Sequence, residues 1–172
     1  DGKLMYFVGN EPSVGYLKIA GEPYYFDDKG YGFEGEYTLC GETCLFEDGQ
    51  YVSCSTASLS DAGMMGADVA YVIYSDGAMK LDGTGETYSF KNHGTRPFDS
   101  YSIKSIHFGA GITRIGTYAF AYSSVSEITF AENSQLKQIG TCAFYQDYAI
   151  KTVELPETVD YISNTAFGYC VN

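Results

Sequence analysis

Tryptophan is absent from this 172-residue chain, and basic residues are few: 10 Lys and Arg stand against 22 Asp and Glu, giving a net charge of −12. Because the basic residues are scarce and do not cluster, we predict no binding to nucleic acid and no electrostatic docking on anionic lipid. No apolar run approaches the ~20 residues of a membrane-spanning helix, so we predict no membrane insertion.

Tyrosine and glycine are abundant instead, with 17 Tyr and 20 Gly in the chain. Tyrosines in short alternating runs favour strands, and glycines between such runs favour turns. The apolar content of 45% is that of a globular protein. Composition therefore predicts a folded, mainly β protein.

Residues 103–170 contain a repeat with two apolar phrases in each unit. The first phrase occurs as Ile103-x-x-Ile106-x-Phe108, Val125-x-x-Ile128-x-Phe130 and Ile150-x-x-Val153-x-Leu155. The second occurs as Ala119-Phe120, Ala143-Phe144 and Ala166-Phe167, with the phenylalanines 24 and then 23 residues apart. Such a period is typical of a solenoid, in which stacked units build one core. We predict that the first phrases form a parallel sheet and that the phenylalanines form a column inside.

Residues between the buried positions of the predicted strands face outward and align in rows across the units. We take these rows as a candidate partner surface, because an exposed solenoid sheet is the usual place for binding. The candidate residues are Lys104, Ser105, His107, Ser126, Glu127, Thr129, Lys151, Thr152 and Glu154. A solvated strand face without a partner is the alternative interpretation.

Residues 68–101 are suited to cover the first solenoid unit, which would otherwise expose its core to water. The pattern predicts strands over 70–74 and 78–81, joined by the Asp76-Gly77 turn, with a second turn at 82–85. His93, Arg96 and Asp99 follow in a loop that we interpret as solvated and not as an acid–base site.

Residues 1–54 carry a second repeat, with steps of 19 and 20 residues. Its copies begin Gly2-Lys3-Leu4-Met5-Tyr6-Phe7, Gly21-Glu22-Pro23-Tyr24-Tyr25-Phe26 and Gly41-Glu42-Thr43-Cys44-Leu45-Phe46. Each copy runs into a turn containing Gly, at 8–10, 27–30 and 47–49. An aromatic strand, a Gly turn and another aromatic strand predict a β-hairpin unit, and we expect the hairpins to stack through their aromatic side chains.

The small and polar residues 55–67 have the composition of a connector, and we place the module boundary there. The predicted organisation is hairpin repeats over 1–57, linker and hairpin cap over 58–102, and the solenoid over 103–172. Among the five cysteines, Cys40, Cys44 and Cys54 lie close enough in sequence for one disulfide, with the pairing left open. Cys142 and Cys170 are expected to be buried, small apolar residues.

The N-terminal repeat resembles the cell-wall-binding (choline- and glucan-binding) repeats of Gram-positive surface proteins. The resemblance rests on Gly15-Tyr16-Leu17-Lys18-Ile19-Ala20-Gly21-Glu22-Pro23-Tyr24-Tyr25-Phe26. The two tryptophan positions of that pattern hold Tyr16 and Pro23, so the aromatic cage for choline is incomplete. What the resemblance implies here is stacking of sugar rings, with Tyr16, Tyr24, Tyr37 and Tyr51 as candidate residues.

Residues 68–172 resemble the BspA-type leucine-rich repeats of bacterial surface proteins. The matching residues are Ile150, Val153, Leu155, Pro156, Val159, Ile162, Ala166, Phe167 and Cys170. The resemblance implies a short, capped leucine-rich-repeat solenoid with a parallel sheet.

We therefore predict a non-catalytic module, secreted or on the surface of a Gram-positive bacterium, that serves adhesion or interaction with a protein or a cell-wall or host glycan. No catalytic residue, cofactor or metal is expected. A structural spacer within a larger surface protein is the alternative. A glycosidase is less favoured, because the acidic residues lie mostly in turns and such a site needs two carboxylates facing each other across a cleft.

Overall fold

The computed structural model describes residues 3–20, 22–55, 58–92 and 94–170, together with the backbone but not the side chains of Tyr16 and Lys18. Every regular element within these residues is a β-strand, which confirms the predicted mainly β class. The strands in chain order are β1 Phe7–Val8, β2 Glu11–Pro12, β3 Gly15–Ile19, β4 Glu22–Phe26, β5 Gly35–Leu39, β6 Glu42–Glu47, β7 Gln50–Cys54, β8 Leu59–Met64, β9 Asp68–Tyr74, β10 Ala78–Glu86, β11 Ser105–Phe108, β12 Ile112–Ile115, β13 Glu127–Phe130, β14 Gln138–Ile139 and β15 Tyr161–Ile162.

The N-terminal module is an antiparallel sheet with the order β3-β4-β7-β6-β5, and β1 and β2 form a separate hairpin. Cys40 and Gly41, with φ of 50° and 81°, make the turn from β5 to β6. Asp48 and Gly49, with φ of 48° and 84°, make the turn from β6 to β7. Two successive residues of positive φ give the turn whose twist matches paired strands, so the predicted hairpin at 47–49 is confirmed.

Aromatic rings hold this module together, as its repeats predict. The ring of Tyr25 stacks on Tyr37 with centroids 4.1 Å apart and packs on Phe46 at 5.8 Å. The same cluster includes Val72 and Tyr74 of β9. The alternate residues of β9 face the solenoid core, because successive side chains of a strand point to opposite faces. One strand therefore joins the two cores.

A disulfide links Cys44 of β6 to Cys54 of β7, which are directly paired across the sheet. Proximity in sequence allowed this bridge, and strand register selects it from the possible pairs. Cys40, Cys142 and Cys170 are free thiols. Cys142 is buried, as predicted, whereas Cys170 is only half-buried.

The interpretation of residues 55–67 as a connector is wrong over residues 59–64, because Leu59–Met64 forms β8 and pairs with β9. Small residues are needed here for packing. A Cβ atom at Gly63 would lie 2.7 Å from the ring of Tyr71, which is fully buried. The glycine-rich composition thus reflects a strand packed against a large side chain.

The turn predicted at 82–85 is also wrong, since β10 runs through it to Glu86. Gly83 and Gly85 have φ of 123° and 95°, and a Cβ at Gly83 would overlap the backbone carbonyl of Asp68. The glycines allow the strand to bend through conformations that other residues rarely adopt. Because of this bend, β10 pairs with two different parallel strands, one after the other along its length.

The solenoid is built from two parallel ladders that both begin on β10. One ladder runs β10-β11-β13, and the other runs β10-β12-β14-β15. β8 and β9 add antiparallel strands on the other edge of β10. The segment before the repeats thus supplies the first strand of the solenoid sheet.

A column of phenylalanines fills the interior, which confirms the central prediction from the repeat. Phe120 and Phe144 stack with centroids 5.5 Å apart, and Phe144 and Phe167 stack at 5.2 Å. Phe98 from the preceding loop extends the column, 5.7 Å from Phe120. The alanine before each repeat phenylalanine is buried, which allows adjacent coils to approach closely.

Candidate functional site

The outward rows predicted from the repeat are aligned in the first two units. Ser105 lies opposite Glu127, and His107 lies opposite Thr129. The His107 Nδ1 atom and the Thr129 Oγ1 atom are 2.9 Å apart, so the row is joined by a hydrogen bond. The backbone N–H of Ser126 donates to the carbonyl of Lys104 at 2.8 Å. These residues therefore lie side by side on β11 and β13 or directly before them.

The third unit departs from the prediction, because residues 150–155 are not a strand. Lys151, Thr152 and Glu154 are exposed but lie outside the hydrogen-bonded ladder. Within the described part of the chain, no backbone hydrogen bond joins residues 151–158 to β13, so β13 is an edge strand. The repeat pattern placed the apolar residues of this unit correctly, since Val153 and Leu155 pack on the core.

A proline accounts for one missing rung of this ladder. In the first two units, the residue after the strand donates its N–H to the preceding coil: Gly109 to the carbonyl of Leu81 at 2.8 Å, and Ala131 to that of Phe108 at 2.9 Å. The third unit has Pro156 at this position, and proline has no N–H to donate.

An open groove of about 840 Å³ lies between β13 and residues 152–158. Its lining includes both outward residues of β13, Glu127 and Thr129, and inward residues, Ile128 and Phe130. Because residues from both faces of the strand reach it, the groove runs along the strand edge. Leu155 contributes further apolar surface from the opposite side.

The coils that flank the groove are held together by other contacts. β14 pairs with β15 in the second ladder. The N–H of Phe144 donates to the carbonyl of Ala166 at 2.7 Å, and the hydroxyl of Thr158 donates to the carbonyl of Ser134 at 3.2 Å. The groove is therefore a local opening in a solenoid whose coils are otherwise bonded.

The groove is acidic. The carboxylates in its lining are Glu127, Glu132, Glu154 and Glu157, and none of the described lining residues is Lys, Arg or His. In a chain of net charge −12, little distant positive charge offsets these groups. The groove therefore favours cationic partners and repels anionic ones.

The tyrosines proposed for glycan stacking take part in packing within the hairpin module. Tyr24 stacks on Phe26 at 6.1 Å, Tyr37 stacks on Tyr25 at 4.1 Å, and Tyr51 meets the ring of Phe46 at 6.0 Å. The side chain of Tyr16 lies outside the described part of the structure. Stacking of these tyrosines on sugar stays a prediction.

A second groove, of about 660 Å³, lies between the hairpin module and the cap. Tyr37 and Tyr88 line it together with the carboxylate-bearing Asp68 and Asp82. Tyr88 is 47% exposed, so much of its ring is accessible. The sequence pattern does not predict this groove, because its two walls come from separate modules, the hairpin repeats and the cap.

A buried carboxylate also joins the two modules. Glu42 of β6 accepts hydrogen bonds from the Tyr74 hydroxyl at 2.5 Å and from Lys80 Nζ at 3.3 Å. Burial is the main cause that raises the pKa of Tyr74, and the neighbouring Glu42 raises it further. The sequence gives no signal for this contact between residues 32 positions apart.

Asp147 is a second buried carboxylate, with no exposed surface, inside the solenoid turn. Its two carboxylate oxygens each lie 3.0 Å from the Ser123 hydroxyl. Burial raises the pKa of Asp147 to about 7, although hydrogen bonds from Ser123 and from the Val125 N–H act in the opposite direction. Ser123 and Asp147 are as far apart in sequence as Phe120 and Phe144, so the repeat period is the sequence feature that could predict their contact.

The loop interpreted as solvated is partly buried. Arg96 is an ion-pair partner of Asp99, and its Nη1 atom donates to the carbonyls of Ala121 at 2.7 Å and Ala119 at 3.4 Å. Arg96 therefore satisfies backbone acceptors of the first solenoid turn. His93 lies outside the described residues.

Across the described residues, no cluster of three or more His, Cys, Asp or Glu side chains is placed to hold a metal ion. Within the described residues, no helix has the length and apolar character needed to cross a membrane.

Comparison with known proteins places the repeat in a family. Residues 86–172 match the BspA type leucine rich repeat region in six copies. The structure is similar to the crystal structure of a leucine-rich repeat protein from Eubacterium ventriosum ATCC 27560, with a TM-score of 0.51 and 22% identity. That similarity covers 60% of this chain and 28% of the other, and it concerns the fold. No curated protein matches the chain. The resemblance of residues 1–54 to cell-wall-binding repeats stays a prediction. The family match covers half of the chain, and it shows that the chain belongs to the BspA-type leucine-rich repeat family.

Proposed function

We propose that this protein is a non-catalytic binding module whose solenoid engages a partner protein through the exposed face of β11 and β13. The surface comprises the residues predicted from the repeat: those on or directly before these strands, Lys104, Ser105, His107, Ser126, Glu127 and Thr129, and the exposed residues of the third unit beside them, Lys151, Thr152 and Glu154. The observation that carries the proposal is the alignment of Ser105 with Glu127 and of His107 with Thr129 beside an open groove. A parallel sheet holds neighbouring rows at a spacing of ~4.8 Å, which gives a partner a rigid template.

We further propose that the module acts in adhesion outside the cell, on the surface of a Gram-positive bacterium or as a secreted protein. BspA-type repeat proteins are typically bacterial surface proteins. The disulfide between Cys44 and Cys54 is consistent with this location, because such bonds persist in oxidising compartments.

The test is capture of partner proteins from bacterial and host surface extracts by the immobilised chain. Replacing Glu127 and Glu154 by arginine should abolish capture, because both side chains are exposed and belong to the proposed surface. The matched control replaces Glu36 and Glu47, exposed residues of the hairpin module, by arginine and changes the net charge equally. Capture that survives the first pair of substitutions, or is lost equally with the second, contradicts the proposal. If the chain is instead a spacer without a ligand, neither the natural chain nor either double variant should capture a specific protein.

We also propose that the groove between the hairpin module and the cap binds a glycan. Its lining combines aromatic rings with carboxylates, which favours this ligand. Tyrosine rings pack on the C–H faces of sugars, and the carboxylates of Asp68 and Asp82 can accept hydrogen bonds from sugar hydroxyls. A glycan array should show binding that is lost in Tyr88→Ala and retained in Tyr161→Ala, a similarly exposed tyrosine elsewhere. An array that remains blank for the intact chain, or equal binding by both variants, argues against this site.

A further inference from the structure

The outer edge of β13 is an unpaired sheet edge inside a solenoid. Among the described residues, β13 ends its ladder, while the other ladder continues from β14 to β15. Unpaired backbone N–H and C=O groups of an edge strand are a template for a further strand. The groove beside this edge gives such a strand a place within the solenoid surface.

We propose that an extended peptide segment of a partner, with basic residues alternating with apolar ones, adds to β13 as an extra strand in this groove. The proposal rests on the proposed function and names the chemistry of the partner. Main-chain hydrogen bonds to a sheet edge supply affinity in such complexes, and pockets for alternate side chains supply specificity.

The lining of the groove specifies the side-chain pattern of the peptide. The inward side is apolar, with Ile128, Phe130 and Leu155, and the outward side carries the carboxylates of Glu127 and Glu154. Successive side chains of a strand point to opposite faces. A peptide strand in the groove therefore places every second residue against the apolar side and the others among carboxylates, where lysine or arginine fits best.

The walls of the groove are positioned without the peptide. Strand pairing between β14 and β15 and the stack of Phe144 on Phe167 fix the third coil against the second. Binding of the peptide then orders the peptide but requires little rearrangement of the protein, which favours affinity.

The test uses a synthetic peptide of alternating lysine and valine residues and the intact chain, with calorimetric titration. We expect binding that weakens with added salt, and an otherwise identical peptide with glutamate for lysine should not bind. Glu127→Gln and Glu154→Gln should each weaken binding about two- to five-fold, as expected for exposed ion pairs. Glu36→Gln, in the hairpin module, should leave the affinity unchanged.

Backbone pairing is tested separately by methylating alternate peptide nitrogens on one edge of the peptide or on the other. Methylation of the edge that faces β13 should abolish binding, whereas methylation of the opposite edge should have a smaller effect. Amide hydrogen exchange at residues 127–130 should slow when the unmodified peptide binds. Equal tolerance of both methylation patterns, or unchanged exchange, overturns the proposal and leaves a purely electrostatic contact. Failure of the peptide to bind, while Glu127→Arg with Glu154→Arg still abolishes capture from extracts, overturns this inference and leaves the proposed function standing.

Discussion

Replacing Phe144 by alanine tests the phenylalanine column at its centre. The side chain has no exposed surface, stacks on Phe120 at 5.5 Å and on Phe167 at 5.2 Å, and meets Phe108 edge-on at 6.4 Å. Truncation removes these contacts and leaves a cavity that bonded coils cannot close. We expect a loss of about 3–5 kcal/mol in the free energy of unfolding. For a chain of this length, this loss corresponds to a decrease of roughly 6–20 °C in the midpoint of thermal unfolding.

Urea unfolding followed by tyrosine fluorescence and by far-ultraviolet circular dichroism measures this loss. Phe144→Leu keeps an apolar side chain in place and should cost less than Phe144→Ala. Phe7→Ala, at a side chain 51% exposed in β1, should change the free energy of unfolding by no more than about 0.5 kcal/mol. A Phe144→Ala variant that unfolds within about 1 kcal/mol of the natural chain would refute the assignment of Phe144 to a shared interior.

Three further predictions concern buried polar groups and the disulfide. For Asp147, burial raises the folded pKa from 3.8 to about 7, so between these values the folded chain holds a proton that the unfolded chain has lost. The contribution of Asp147 therefore becomes progressively less favourable as the pH rises from 4 to 7. Over that window, the stability of Asp147→Asn relative to the natural protein should increase by up to about 4 kcal/mol, measured by urea unfolding at each pH; a difference independent of pH would contradict this. Tyr74→Phe removes the hydroxyl that donates to the buried carboxylate of Glu42 and should cost about 1–3 kcal/mol in thermal or urea unfolding. Cys54→Ser breaks the bond to Cys44, which spans a sequence separation of 10, and should cost about 2–3 kcal/mol. Reductant should lower the stability of the natural chain to that of Cys54→Ser and leave the variant unchanged.

Periodic apolar residues were sufficient to predict the solenoid and its interior. Phe120, Phe144 and Phe167 recur at nearly equal intervals, and stacked coils with one period bring such residues into register. The rows on β11 and β13 follow from the same register, since outward residues must align when inward ones do. The third row departs from this register although its apolar spacing persists, and Pro156, which has no N–H to donate, removes one hydrogen bond of the ladder there.

Glycine-rich segments were predicted less well, because a glycine marks a turn and a close approach in the same way. The composition predicts a turn at Gly83, but this residue lies within β10, where the carbonyl of Asp68 occupies the space of a side chain. The composition predicts a connector around Gly63, but this residue lies against Tyr71. In both cases the reason for glycine is a neighbour distant in sequence or on another strand.

The sequence by itself determined the class of the fold, the period of the solenoid and the residues that fill its interior, because these depend on local alternation and repetition. Only the tertiary structure decided which cysteines pair, how β9 joins two cores, and where the ladder opens beside β13. Those features depend on contacts between segments that share no pattern. A repeat predicts where equivalent residues meet, and the departures from the repeat form the groove that we propose as a binding site.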